Sequence, residues 1–393
     1  MNVSGEAPLA EVCTIVGGGT PRRSNAAYYD GTIPWATPTD VTKLDSLFVE
    51  RTKEAITEVG LNESSARLVP AGTVLMTSRA TIGYTAIATR PMATNQGFAN
   101  LICGERVLPE YLAYWLRDQR ELLIQLAGGT TFKELPKSTL KKVRIPLPPL
   151  EEQRRIVGIL NRAAKLERLR KQAQERLREF IPALFIKMFG DPADNPKGWE
   201  VRPLGALCIQ TQYGTSKRAT DQADGLPVLR MGNVTYSGDL DCANLKWIDL
   251  SENDTEKYLL RKGDLLFNRT NSKELVGKTG VWDGRFDAVA ASYFIRLRLD
   301  ENSVCPIYVW AFMNSAATKQ RLFATARGAI GQANINAEEV KSLPLPVPPL
   351  DLQRTYSELA EKAQSELKTT ESCCVDVSEL QGSLMSRFLD IVA

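Results

Sequence analysis

A chain of 393 residues exceeds what a single hydrophobic core usually serves, so two domains are expected, and its 43% apolar and 24% charged residues are those of an ordinary globular protein. No apolar run approaches the roughly 18 residues of a membrane span, and the N-terminus lacks the basic-then-apolar order of a signal peptide, so membrane and secreted classes are set aside in favour of the cytoplasm. A net charge of +3 argues against a protein that holds nucleic acid by charge alone, and the lack of any histidine removes the commonest general base, the Ser-His and Cys-His pairs and imidazole zinc sites.

In chain order, residues 1–144 read as a first mixed α/β unit. β-type runs at Thr73–Thr77, Thr85–Thr89 and Phe98–Cys103 are separated by glycine and polar turns. A helix pattern starts at Pro109 and carries Leu112, Trp115, Leu116, Leu122, Leu123 and Leu126 on one side. Residues 145–190 form a helical spacer that opens with Pro148-Pro149-Leu150 and acids in its first turn, Glu151 and Glu152. Its apolar positions Ile156, Ile159, Leu166, Leu177, Phe180 and Leu184 recur at the spacing of a coiled-coil seam. Pro182 should kink or end that helix.

The pattern then repeats. Residues 191–342 follow the order of the first unit: Gly263 to Phe267 echoes Gly72 to Met76, and Pro227 to Thr235 echoes Pro34 to Thr42. Residues 343–393 restate the spacer at a constant offset of 200, with Pro348-Pro349-Leu350 and Gln353-Arg354 matching Pro148-Pro149-Leu150 and Gln153-Arg154. Tyr356, Leu359, Leu367, Leu380 and Leu384 make its seam, and Gly382 stands where Pro182 stood. Residues 151–190 hold 10 basic and 5 acidic side chains (+5), whereas residues 343–393 hold 4 and 8 (−4). Opposite charges favour these two helices pairing with each other, antiparallel about an approximate two-fold axis. A homodimeric coiled coil is the competing reading. About 38 residues give a separator of at most roughly 57 Å, which can meet the 34–36 Å between half-sites on one face of B-DNA.

Signs of catalysis are sparse. Val276-Gly277-Lys278-Thr279 has only the end of a phosphate-binding loop, because Ser272 replaces the required glycine. The seven cysteines are scattered without a Cys-x-x-Cys pair and read as reduced thiols, so no metal site is expected. No Asn/Asp-Pro-Pro-aromatic tetrapeptide of an amino-methyltransferase occurs. What remains are polar loops able to contact phosphates and base edges. In the first unit they carry Thr20, Arg22, Arg23, Asn25, Arg79, Thr130 and Lys133. In the second they carry Tyr213, Thr215, Ser216, Lys217, Asn268, Arg269, Asn271, Lys273, Arg327, Gln332 and Asn334. Matched positions in two similar domains favour double-stranded DNA with two contact zones over a nucleic-acid-independent adaptor or a nucleotide hydrolase at Lys278.

The doubled Pro-x-Pro-Pro-Leu-acid-x-Gln-Arg at the helix starts resembles the specificity (S) subunit of type I restriction-modification systems. Gly18-Gly19-Thr20-Pro21, Tyr213-Gly214-Thr215-Ser216, the run Gly128 to Lys133, and Gly331 to Ile335 carry the same likeness. The resemblance implies two target recognition domains, each reading half of a bipartite site, held apart by an antiparallel coiled coil that docks two methyltransferase (M) subunits. It also implies restriction (R) subunits in the full complex. By the same resemblance this chain is not catalytic and holds no cofactor of its own; S-adenosylmethionine, ATP and Mg belong to the partner subunits.

Overall fold

The computed structural model describes residues 5–128, 133–272, 275, 277–325, 327–329 and 332–390, with the side chains of 271, 327–329, 332–333 and 371–390 outside the described set. Contacts divide it into two units, Met1–Gln172 with Glu371–Ala393, and Ala173–Thr370. Among the described residues, no helix is long and apolar enough to cross a membrane.

In the first unit, strands Cys13–Gly17, Phe98–Cys103, Val74–Thr77, Thr85–Ala88 and Phe48–Val49 form a five-stranded sheet in that spatial order. Val74–Thr77 and Thr85–Ala88 are buried on both faces, as their unbroken apolar character requires. One face packs on helix Pro109–Asp118, which starts on its proline and buries Tyr111 through Leu116. The other faces a smaller sheet of Glu54–Ile56, Tyr29–Ala36 and Ala93–Thr94. Contrary to the single helix expected from Pro109, the chain breaks at Gln119 and resumes as Arg120–Gln125, leaving Leu122 and Leu126 exposed.

The second unit repeats this frame. Cys208–Tyr213, Phe294–Leu299, Leu265–Asn268 and Thr279–Val281 form the larger sheet, and Lys246–Ile248, Leu226–Leu229 and Val289–Ala290 the smaller. Helix Pro306–Asn314 takes the place of Pro109–Asp118, and the following helix Ala316–Thr325 leaves Phe323 exposed. A further sheet joins Thr270–Asn271, Gln332–Asn334 and Arg327–Ala329.

Each domain is closed where its long helix departs. Glu6–Pro8 pairs with Arg144–Pro146, and Glu200–Pro203 pairs with Pro344–Val347, both antiparallel. The long helices run Leu150–Phe189 and Leu350–Asp390. The repeated glutamine is explained here. Gln153, fully buried, accepts from Leu108 N–H at 2.9 Å and donates to the Pro148 carbonyl at 2.9 Å. Gln353 does the same between Cys305 N–H, 2.9 Å, and Pro348, 2.7 Å. Tyr111 and Tyr308 then donate to the carbonyls of Pro146 and Pro346. Helix, turn and domain are thereby tied at the same point in both halves.

The seam differs from the expected positions. Ile156, with Val157 and Leu160, belongs to the core of the first domain. In the second unit Ile181, Phe185 and Phe189 close over Tyr308, Tyr356, Ala360 and Ala363. Phe189 lies 4.8 Å from the Tyr308 ring and 5.4 Å from that of Tyr356. Leu367 is buried, while Leu177 and Leu184 pack at the edge of that cluster and Ile159 is half-buried. Leu166, Phe180 and Leu359, expected in the seam, are instead exposed. The inward face is set by the first helical turns lying against the globular cores, which displaces the stripe from a free-standing heptad. The side chains of Leu380 and Leu384 lie outside the described residues. Residues 150–172 share the first unit with 371–390, and 173–189 share the second with 350–370, the grouping that antiparallel helices give. Pro182 does not end the helix, which runs on to Phe189: burial of Ile181 and Phe185 on either side offsets the missing N–H bond. The helix likewise continues through Gly382.

Candidate nucleic-acid interface

Both domains gather their strand ends on one short turn. In the first, residues 94–98 form the hub: Gly19 N–H donates to Thr94, Gly18 to Phe98, and Ser78 to Gly97, while Ala36 accepts from Asn95. In the second, residues 290–294 repeat every one of those bonds. Thr215 donates to Ala290, Gly214 to Phe294, and Arg269 to Tyr293, and Leu229 accepts from Ala291. The glycines are needed for close approach. A Cβ on Gly19 would lie 2.1 Å from the Ser65 backbone, and one on Gly214 would lie 2.3 Å from two carbonyls. The echo at Asp40 and Asn233 is the same device twice: Asp40 accepts from Thr37 N–H at 2.7 Å and Asn233 from Arg230 N–H at 2.8 Å. Thr37, Ser78 and Gln96 therefore correspond to Arg230, Arg269 and Ser292.

Around the first hub, the Thr20 hydroxyl bonds Gln96. Arg22 is exposed. Arg23 lies 4.9 Å from the centres of both the Tyr29 and Trp35 rings and is paired with Glu54, whose carboxylate holds the guanidinium above its usual pKa. Trp35 Nε1 in turn donates to Gly19 at 3.0 Å and Tyr29 to Pro21 at 2.6 Å, so these rings fix the glycine loop. Asn25 caps a short 3-10 turn by accepting from Ala27. Arg79 is paired with Glu134 at 2.9 Å, both half-exposed, and Lys133 is exposed. Thr130 lies outside the described residues.

Around the second hub, Tyr213 is exposed, accepts from Ala337 N–H, and carries the Arg269 guanidinium 4.8 Å from its ring centre. Ser216 and Lys217 are exposed. Thr270 donates to the exposed Asn334 at 3.3 Å, at the place Arg79 and Glu134 hold in the first domain. Asn271, Arg327 and Gln332 lie on the three-stranded sheet, their side chains outside the described set, and Lys273 lies outside altogether. Two expected contact residues are corrected. Thr215 is buried, because it forms the bridge to the hub. Asn268 is wholly buried, because its strand position points inward beside Phe294. Sequence reasoning missed Gln96, Arg230 and Tyr293. Arg230 lies within the echo from Pro227 to Thr235, so aligning that echo with Thr37 was the available signal.

Lys278 does not form a phosphate loop. Gly277 donates to Asn268 as Gly83 donates to Thr77, so this is the second domain's copy of an ordinary turn. Its ammonium is buried, with its pKa lowered by desolvation, and donates to the carbonyls of Met231, 3.0 Å, and Val234, 2.6 Å. Among the described residues, no cluster of Cys, Asp and Glu is placed to hold a metal.

The duplication seen in these bonds is also seen in comparison with known sequences. The profile of the type I restriction modification DNA specificity domain matches residues 5–179 and again 196–371. The chain belongs to that family. Among relatives of this specificity-domain chain is the type I restriction enzyme MjaIX specificity subunit of Methanocaldococcus jannaschii, 40% identical over 225 residues, 53% of this chain and 52% of that one. The match thus spans about half of that relative's length. The StySPI specificity subunit of Salmonella potsdam is 24% identical, over 97% of this chain and 87% of the relative. The fold is shared with the S subunit from M. genitalium at a TM-score of 0.64 and 13% identity, covering 98% of this chain and 96% of that one. A chain from a study of type I R-M complex assembly aligns at a TM-score of 0.58 and 19% identity, with 98% and 96% covered.

Proposed function

We propose that this chain is the non-catalytic DNA-recognition subunit of a type I restriction-modification complex, each hub reading one half of a bipartite duplex site. The observation that carries it is the identical hydrogen-bond frame at the two hubs with unlike side chains mounted on it, as expected of one scaffold presenting two readers. On this reading the long helices set the spacer and, with exposed Leu166, Leu169, Phe180 and Leu359, dock two methyltransferase subunits. Restriction subunits join that assembly in the cytoplasm, and S-adenosylmethionine, ATP and Mg are bound by the partners.

Modest net charge fits shared grip, in which the partners supply part of the phosphate contact. The test is selection of random duplexes by the full chain co-expressed with its methyltransferase subunit. A two-part consensus is expected, and exchanging residues 1–144 for those of another family member should change one part only. No retained sequence, with the methyltransferase present, would return the chain to the class of protein adaptors.

A further inference from the structure

Several arginines of this chain have a carboxylate: the exposed Arg23 has Glu54, the exposed Arg285 has Asp283, and the more buried Arg296 and Arg298 share Asp264. Arg230 and Arg269 do not. Neither has an ion-pair partner among the described residues, and each has a buried Nε without an acceptor. Arg230 keeps one bond, from Nη2 to the Asn244 carbonyl at 3.3 Å, and Arg269 keeps its place near the Tyr213 ring. Both follow strands that end on the same turn, through Leu229 with Ala291 and Arg269 with Tyr293.

Beside Arg269, the amide of Asn268 is wholly buried with both its oxygen and nitrogen unpartnered. Its counterpart Thr77 is satisfied, its hydroxyl donating to the Thr81 carbonyl and accepting from Tyr84 N–H. Buried polar groups left unmet are destabilising, and unpaired charge in a half-buried setting invites a counter-group from outside.

We propose that Arg230 and Arg269, backed by the buried Asn268, form a seat for a strongly accepting edge of duplex DNA, a guanine O6/N7 edge or a phosphate, that the first domain lacks. There the matching positions are Thr37 and Ser78, whose hydroxyls already bond Asp40 and Gly97. The seat thus serves one half-site alone. It rests on the DNA-recognition reading above.

The test repeats the duplex selection with Arg→Lys and Arg→Gln at each position. Wild type retaining no sequence defeats the DNA-recognition reading itself, before any variant is compared. If Lys substitution keeps binding but erases a guanine from the half-site not governed by residues 1–144, the seat reads a guanine edge. If Lys preserves the consensus, while Gln weakens all sequences about equally and lowers the log–log salt slope by about one, the seat holds a phosphate. Either result supports the proposal, with losses of about tenfold or more per arginine expected for the guanine case. Unchanged affinity, consensus and salt slope in both Gln variants overturns it. So does a change confined to the half-site governed by residues 1–144. Asn268→Leu separates seat from scaffold: an unchanged or higher melting temperature with weaker selection supports the seat. A lower melting temperature with unaltered selection shows the amide to be structural.

Discussion

Gln353 illustrates how a single neutral side chain can decide the geometry of a whole element. Its amide satisfies the Cys305 N–H and the Pro348 carbonyl where no water reaches. Gln353→Ala should leave both groups unmet and cost about 2–4 kcal/mol, read as a fall in the urea midpoint; a loss below about half a kilocalorie would show that water replaces the amide. Lys319 gives a pH signature. Burial, and the nearby Lys278 charge, bring its pKa down to about 8 from 10.5, while it donates to the Tyr236 carbonyl beside that ring. Between these values the unfolded chain holds the proton and the folded chain has released it. Lys319's contribution therefore rises as pH climbs from about 8 toward 10.5 and is smallest below 8. Wild type should gain stability over Lys319→Met across that window, and 13C-dimethyl-lysine NMR should place the midpoint near 8. A midpoint above 10 sinks the assignment.

At the scale of elements, the distal half of the first long helix is core for the second domain rather than a bare rod. Phe185 stacks on Tyr308 at 5.6 Å and meets Tyr356 edge-on at 5.7 Å. Phe185→Ala should cost about 3–5 kcal/mol. Hydrogen exchange should report that loss over residues 200–350 and leave the strands of residues 10–145 as protected as before; uniform deprotection would mean the units unfold as one.

What the sequence revealed of all this follows from range. The offset of 200 exposed the glutamine and Pro-Pro turns, because local chemistry repeats within a few residues. Helix positions slipped because a 3.6-residue stripe cannot say which neighbour covers it, and here the globular cores claim Ile156 and Tyr356. The hubs stayed hidden for a different reason. Residues 94–98 meet three segments that are up to about 80 positions away, and Asn268 looked like a loop residue although its strand alternation turns it inward. A polar run shows that a segment can bond, not whether its partner is protein or DNA.

For the whole molecule, the charge balance joins the two scales. A helix of +5 and a helix of −4 can pair without either needing a second copy of the chain, and on the proposed DNA-recognition reading the same pairing makes their length a measure along DNA. An antiparallel pair has to be lengthened on both sides at once. Inserting one helical turn of four residues after Leu169, with a matching turn after Thr370, adds about 6 Å of helix. Since each base pair of B-DNA advances about 3.4 Å, the selected spacer should lengthen by one or two base pairs while both half-sites keep their letters. The same turn placed in the first helix alone should lower stability instead, because the packing of Phe185 and Phe189 on Tyr356 would lose register with the rest of the seam. Duplex selection reads the first outcome and thermal melting the second. A matched insertion that leaves the spacer unchanged would show that the domains, not the helices, set the distance.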